Sequence, residues 1–236
     1  EPIRALERVD PGAAGMTRYV GKNGGYPVYD RTDVTYFPLG EDKFERMLRE
    51  LESKDACFGA MTAWHLYNWY RNNRFCGCCG SRTRHDDAER MLRCPECGNM
   101  IFPKISPAVI VGVTDGDRLL MSKYAGRDYT HYALIAGYTE IGETLEQTVQ
   151  REVMEEVGVR VKNIRYCGSQ PWSFSDTLLM GFWCDLEGSD EIHLDEEELS
   201  VGEWLYREDI PEASGRISLT GTMIEAFRAG KEKELL

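Results

Sequence analysis

Apolar side chains recur at helical spacing in several stretches of the chain. Glu41 to Ser53 carries Phe44, Met47, Leu48 and Leu51 on one side with charges opposite, and Cys57 to Arg71 repeats this with Met61, Trp64, Leu66 and Trp69, so two successive helices are expected. A third is the best specified. Thr144 and Gln147 form a capping box, Leu145, Val149, Val153 and Val157 make the apolar stripe, and Gly158 offers a C-cap, which predicts about fourteen helical residues. A last helix spans Thr220 to Lys231. Strand-like runs lie between these helices. Ala108 to Val113 is β-branched and turns through Asp115-Gly116-Asp117 into Arg118 to Met121, which predicts a hairpin. Tyr132 to Ala136, Ile164 to Gln170, Leu178 to Leu186 and Val201 to Tyr206 follow. Before Leu39 the chain is rich in Gly, Pro and Tyr without periodicity and reads as irregular strands and loops. The expected class is α+β, a mixed sheet between helices. The turn-rich stretch Pro103 to Pro107 marks a boundary, giving an N-terminal region at 1–72, a middle segment at 73–104 and a C-terminal domain at 105–236.

Composition narrows the function classes. The 236 residues include 28 Lys and Arg against 40 Asp and Glu, a net charge of −12. That excess argues against coating nucleic acid by bulk attraction and suits a protein that meets anions through metal ions. The longest uncharged apolar stretch, Ile105 to Val113, is broken by Ser106 and Pro107 and falls far short of the ~20 residues that cross a bilayer. The chain opens on Glu1, which is compatible with a tag, a signal or another segment upstream.

Four of the eight cysteines form two knuckles, Cys76-x2-Cys79 and Cys94-x2-Cys97, each in a glycine-bearing turn. Such spacing lets four thiolates converge on one tetrahedral zinc at ~2.3 Å. With all four positions filled by protein, the zinc is expected to be structural. Two alternatives stay open at this point. The four could form two disulfides of an exported chain, and Cys78 could compete as a ligand. Cys57, Cys167 and Cys184, scattered singly among apolar residues, favour reduced thiols and a cytoplasmic location.

The densest chemistry lies between Gly137 and Val159. On the expected helix, Glu152, Glu155 and Glu156 fall at i, i+3 and i+4, within about a 100° arc. Grouped carboxylates suit Mg2+ or Mn2+, which complete their octahedra with water and phosphate oxygens. A solvated acidic face is the commoner reason for such a triplet. Here the flanking residues also fit the pattern Gly-x5-Glu-x7-Arg-Glu-U-x-Glu-Glu-x-Gly-U, with U aliphatic, at Gly137, Glu143, Arg151, Glu152, Val153, Glu155, Glu156, Gly158 and Val159. This pattern resembles the Nudix box. The resemblance implies an α/β/α sandwich with a mixed sheet that hydrolyses a nucleoside diphosphate linked to another moiety. It also implies Glu152 and Glu156 as metal ligands and Glu155 as ligand or general base. Arg151, paired with Glu143 or Glu155, would orient these carboxylates.

Beyond the box stands Ser169-Gln170-Pro171-Trp172-Ser173-Phe174-Ser175-Asp176-Thr177, which is similar to the S-Q-P-W-P-F-P-x-S signature of zinc-ribbon NADH pyrophosphatases. Ser173 and Ser175 replace prolines and Thr177 replaces serine, so the segment is expected to be less rigid. The resemblance covers about Arg74 to Trp204. It implies cleavage of NADH or NAD+ to the nicotinamide mononucleotide and AMP, a homodimer, and possible removal of NAD caps from RNA. It places substrate at Glu89, Phe102, Ala136, Tyr138, Gln170, Pro171, Trp172, Ser173, Phe174, Ser175, Asp176, Thr177 and Thr220, and a further metal carboxylate at Glu198. Trp172 and Tyr138 offer flat faces for stacking. Around the two knuckles, which have the zinc-ribbon spacing, Arg71, Arg74, Arg82, Arg84, Arg90 and Arg93 outnumber Asp86, Asp87 and Glu89, a patch that could receive RNA phosphates. The rival readings are a Nudix hydrolase of another diphosphate such as ADP-ribose, and a nucleotide-sensing module without turnover.

Overall fold

A computed structural model describes residues 54–126, 131–212 and 218–235. The expected helix at Glu41 to Ser53 and the irregular stretch before it lie outside the described residues. The chain divides into two units between Ile105 and Ser106, with Ser173–Asp176 belonging to the first unit.

The first unit contains helix α1 (Lys54–Asn72) and the paired segments β1 (Arg84–His85), β2 (Leu92–Arg93) and β3 (Met100–Ile101). On α1, Cys57, Met61 and Trp64 are buried together, with Ala60, Tyr67 and Phe174 packed against them. The three short strands are antiparallel in the order β1-β2-β3. Each cysteine knuckle turns through a left-handed glycine, Gly80 and Gly98, whose N–H groups donate to the carbonyls of Cys76 and Cys94 at 2.8 and 3.0 Å. A side chain there would strain the turn that brings two thiols together.

The second unit is a mixed sheet sandwiched between two helices. Its strands are β4 (Ser106–Asp115), β5 (Arg118–Tyr124), β6 (Ile135–Tyr138), β7 (Arg160–Trp172), β8 (Thr177–Glu187) and β9 (Leu199–Tyr206), with α2 (Leu145–Val157) and α3 (Leu219–Arg228). Five strands run β7-β8-β4-β5-β9, and β6 pairs with β4. Only β4 and β8 are parallel, in register from Ser106 opposite Thr177 to Thr114 opposite Asp185. One face buries Val149, Val153 and Val157 of α2 against Val109, Val111, Val113, Ile135 and Phe182. The other buries Met223, Ile224 and Phe227 of α3 against Ile110, Leu119, Met121 and Trp183. This is the expected α+β class in its three-layer form.

Several boundaries differ from the sequence expectation. The strand expected at Tyr132 to Ala136 runs instead from Ile135 to Tyr138, because its extent is set by its partner, Ala108 to Val111. β7 is longer than expected. Its register shifts between Lys162 and Arg165 and again between Tyr166 and Gly168, irregularities that break the alternation a strand otherwise shows. The last helix begins one residue earlier, where Ser218 accepts from the Gly221 N–H, and ends sooner, before left-handed Gly230. The strand expected to end at Gln170 continues to Trp172. Gln170, Pro171 and Trp172 pair with Leu179, Leu178 and Thr177, leaving only Ser173–Asp176 as the turn.

Candidate active site

The site is built on the loop and helix that follow β6. Thr144 caps α2 with both halves of the capping box in place, and Gly158 closes it in the left-handed conformation. This cap holds the first turn so that Glu143, one residue before it, faces Arg151. Arg151 Nε donates to Glu143 Oε1 at 2.6 Å, and Nη2 to Glu143 Oε2 at 2.9 Å, a forked pairing of high directional strength. Nη2 also donates to the Tyr138 carbonyl at 2.9 Å. Nη1 reaches Glu152 at 2.7 Å and Glu155 at 2.9 Å. One guanidinium therefore ties the loop, the end of β6 and two carboxylates of the triplet together. The expected choice between Glu143 and Glu155 is not made, since Arg151 pairs with both. Held by Arg151, the Glu140 N–H and the Thr148 hydroxyl, the Glu143 carboxyl is pulled down to about 2.

The remaining carboxylates are under the opposite pressure. Burial raises the pKa of Glu152, partly countered by Arg151. Glu156 is 3% exposed, and neither of its oxygens has a hydrogen-bond partner. Burial first, then the charges of Glu152 and Glu198, push it up to about 8, against a smaller lowering by the nearby Ala136 N–H, which makes no hydrogen bond of acceptable geometry to either oxygen. Buried carboxylate oxygens without donors are rare. A divalent cation satisfies such a group, so the donor set fits a hard metal ion. The charge of Glu198 raises the pKa of both Glu152 and Glu156, but no three of the carboxylates Glu152, Glu155, Glu156 and Glu198 bring their oxygens within 4.8 Å of one another. The Glu198 segment is joined to α2 by Asp195, whose N–H donates to the Glu156 carbonyl at 2.9 Å. Glu155 is exposed, and its oxygen is held by Arg151.

Gly137 has a steric reason to be glycine. A Cβ there would lie 1.9 Å from Glu152 Cδ and 2.1 Å from each of its oxygens. The strand backbone and the helix carboxylate approach closer than any side chain allows.

The expected substrate residues divide between the two units. In the second, Tyr138 is half exposed and its hydroxyl lies 3.2 Å from the Thr177 hydroxyl. Gln170 Oε1 accepts from the Leu219 N–H at 2.6 Å, so this side chain helps cap α3 just before Thr220. Ala136 lies on β6, and Pro171 and Trp172 close β7. In the first unit, Phe174 packs with α1. Asp176, at φ 56°, lies 3.1 Å from His65 Nε2, which also reaches the Lys104 carbonyl at 2.8 Å. Ser173 is buried and Ser175 exposed, while Glu89 and Phe102 belong to the ribbon. Sequence reasoning missed Thr148 and His65. Thr148, one helical turn after Thr144, was in principle readable, whereas a lone histidine on α1 carried no signal.

The cysteines form a second centre. Among the described residues, Cys76, Cys79, Cys94 and Cys97 are the one group of three or more potential ligands whose donor atoms all lie within 4.8 Å of one another. The Cys76–Cys97 and Cys79–Cys94 sulfurs are 3.6 and 3.4 Å apart, close to the roughly 3.8 Å edge of a tetrahedron around zinc. All eight cysteines are unpaired by disulfides, and Cys78 is outside the set. Backbone N–H groups of Cys78 and Cys79 lower the Cys76 thiol to about 6, favouring the thiolate that a metal needs.

Residues 104–223 match the NUDIX domain family, and residues 71–102 match the NADH pyrophosphatase zinc ribbon domain. A relative in Pseudomonas aeruginosa called NAD-capped RNA hydrolase NudC is 40% identical over 161 residues, 68% of this chain and 58% of that protein. The protein of the same name in Mannheimia succiniciproducens is 38% identical over 206 residues, 84% of this chain and 71% of that one. The chain thus spans under two thirds of the Pseudomonas relative's length. Among solved structures, a NUDIX hydrolase from Nitrosomonas europaea superposes with a TM-score of 0.55 at 23% identity, over 67% of this chain and 94% of that one, a likeness of fold. Among the described residues no helix is long and apolar enough to cross a membrane.

Proposed function

The chain belongs to the Nudix family, and from that premise we propose that it hydrolyses the diphosphate of NADH or NAD+ to nicotinamide mononucleotide and AMP, and removes NAD caps from RNA. The observation that carries this reading is Glu156, buried with both oxygens unsatisfied beside Glu152 and Glu198. Mg2+ or Mn2+ bound there would neutralise charge on the transferring phosphoryl group and lower the pKa of the attacking water. Glu152, Glu156 and Glu198 would hold the ions, with Glu155 as a further ligand or as the base that orients water. Arg151 keeps Glu152 and Glu155 aimed by a forked grip on Glu143. Gly137 leaves the space in which the Glu152 carboxylate sits.

The choice of NAD(H) is supported by the NADH pyrophosphatase ribbon and by relatives called NAD-capped RNA hydrolase. Tyr138 and Trp172 supply flat faces, and Glu89, Phe102, Ala136, the Gln170 to Thr177 segment and Thr220 are the remaining substrate positions in this reading. Zinc on the four cysteines is structural. A homodimer in the cytoplasm completes the proposal.

The test is hydrolysis of equal amounts of NADH, NAD+, ADP-ribose and diadenosine polyphosphates with Mg2+ or Mn2+, products resolved by mass, for the wild type and Glu156→Gln. Consumption of NADH or NAD+ ahead of the others, lost in the variant, is expected. Preference for ADP-ribose would keep the Nudix chemistry and overturn the substrate. Full activity of Glu156→Gln would overturn the site.

A further inference from the structure

Helix α3 begins with two side-chain acceptors where one would serve. Ser218 is its N-cap, and its hydroxyl accepts from the Gly221 N–H at 3.1 Å. That local cap is enough to start a helix. The Leu219 N–H, one of the donors a helix leaves unmet, is taken by Gln170 Oε1 at 2.6 Å, from 49 residues away in the chain. An acceptor so distant does what a local cap does not, since it fixes the place of the helix on the sheet. Gly181 tightens the same seat. A Cβ there would lie 2.8 Å from Cys167 Sγ, 3.0 Å from Met223 Sδ and 3.2 Å from Leu219 Cδ2, so the start of α3 rests directly on β8.

The strand register shows what that seat borders. Gln170 opposes Leu179, Leu179 opposes Ala108 and Ala108 opposes Tyr138, one row across β7, β8, β4 and β6. Paired residues project to the same face. Leu179 identifies it as the α3 face, because it packs against the cluster that holds Met223 and Ile224. At ~4.8 Å per strand the ends of the row stand about 14 Å apart. Leu179 and Ala108 floor the interval, with the first turn of α3 at one end and the half-exposed Tyr138 ring at the other. The Tyr138 hydroxyl lies against that of Thr177, which shares the face of Leu179 two residues on. The carboxylates lie on the opposite face, where Gly137 meets Glu152.

We propose that Gln170 is a positioning residue. By holding the first turn of α3 it sets the width of the floor beside Tyr138 on which a flat ring of the substrate rests, and it does not itself grip the substrate. This deepens the function proposed above and rests on it for the ring that Tyr138 faces. The chemistry of the side chain agrees. A backbone N–H only donates, so Gln170 serves α3 through its oxygen, whereas a glutamine reading a diphosphate would offer its amide N–H groups.

The experiment uses that difference. Steady-state hydrolysis of NADH is measured for wild type, for Gln170→Met, which keeps the length and loses the acceptor, and for Gln170→Glu. The glutamate keeps acceptor oxygens and puts a negative charge at a helix N-terminus, where it is favoured. Hydrogen exchange of the Leu219 amide is followed by NMR in parallel. We expect Gln170→Met to raise KM about tenfold with kcat within about twofold, because the carboxylates lie on the other face, and to speed Leu219 exchange. Gln170→Glu should raise KM by less than about threefold and keep that amide protected. A glutamine in contact with the anionic diphosphate gives the reverse order, since Glu loses the donors and adds repulsion. KM higher in Gln170→Glu than in Gln170→Met therefore overturns the proposal, as does Leu219 exchange equal in wild type and Gln170→Met, or a fall in kcat with KM unchanged. If Gln170→Met does not fold, Gln170→Asn serves, since it keeps the amide but stops one methylene short of the Leu219 N–H. If wild type leaves NADH intact and splits ADP-ribose, the dinucleotide reading falls. The same order of KM values on ADP-ribose then leaves the role of Gln170 standing, and the reverse order overturns it.

Discussion

Glu156 makes a sharp demand on the metal-free protein. Its carboxyl ionises at about 8 in the fold, against 4.5 for an unperturbed glutamate. Because the folded value is raised, the folded chain keeps a proton that the unfolded chain releases. Stability contributed by this group is fully present below the unfolded value and is lost as pH rises toward the folded one. Ionising this one side chain costs about 5 kcal/mol more in the fold than in the unfolded chain. Between about pH 5.5 and about pH 8.5 the metal-free wild type should lose about 3 kcal/mol through Glu156 alone. Glu156→Gln removes the titration, so its urea midpoint should move less over the same interval. A divalent ion reverses the sign for the wild type, since it binds the ionised form and adds stability that grows as the proton is lost. The measurement is urea unfolding of both proteins at the two pH values, with chelator and with Mg2+. Equal pH dependence for wild type and Glu156→Gln in chelator would refute the reasoning, because the buried, unpartnered carboxyl would then not be holding a proton. Equal stabilisation of both proteins by Mg2+ would refute the assignment of the ion to this group.

Three other perturbations test separate parts of the structure. Gly137→Ala puts a methyl where the Glu152 carboxylate lies; hydrolysis should collapse while the melting temperature moves little, because the tip of a flexible side chain yields. Gly112→Ala meets the Trp183 ring at 2.3 Å deep in the sheet and should cost about 1–3 kcal/mol, read as a lower melting temperature with the metal site intact. Arg151→Lys keeps the charge but loses the fork to Glu143 and the reach to Tyr138, Glu152 and Glu155; turnover should fall about 10–100-fold, measured at saturating metal.

The parts of this protein that were legible in its sequence are those written locally. α2 was readable to within a residue because its cap, stripe and C-cap are short-range signals, and the ribbon because two thiol pairs in glycine turns have few other uses. The pattern around Gly137 pointed to the candidate site, but the reason for that glycine, a carboxylate from fifteen residues onward pressing on its α-carbon, exists only in three dimensions. Sheet order was not readable, since β8 lies parallel to β4 through contacts between distant stretches. The β7 irregularities near Asn163 and Gly168 hid that strand's length. Ser173 and Ser175, standing where the signature has prolines, gave no sign that strand pairing on both sides shortens the turn to Ser173–Asp176.

The parallel pairing of β4 with β8 also bears on how the protein comes to be folded. Ser106 and Thr177 meet across about seventy residues of chain, a closure whose entropy must be met before any contact rewards it. β5, β6, α2 and β7 all lie within that closed stretch. The carboxylate helix lies inside that closed stretch, so the sheet it rests on is complete only when β8 has docked between β4 and β7, and a chain without β8 lacks Phe182, one of the residues that bury its valines. Nascent chains should accordingly remain inactive and protease-sensitive across the whole segment until β8 has been synthesised and docked.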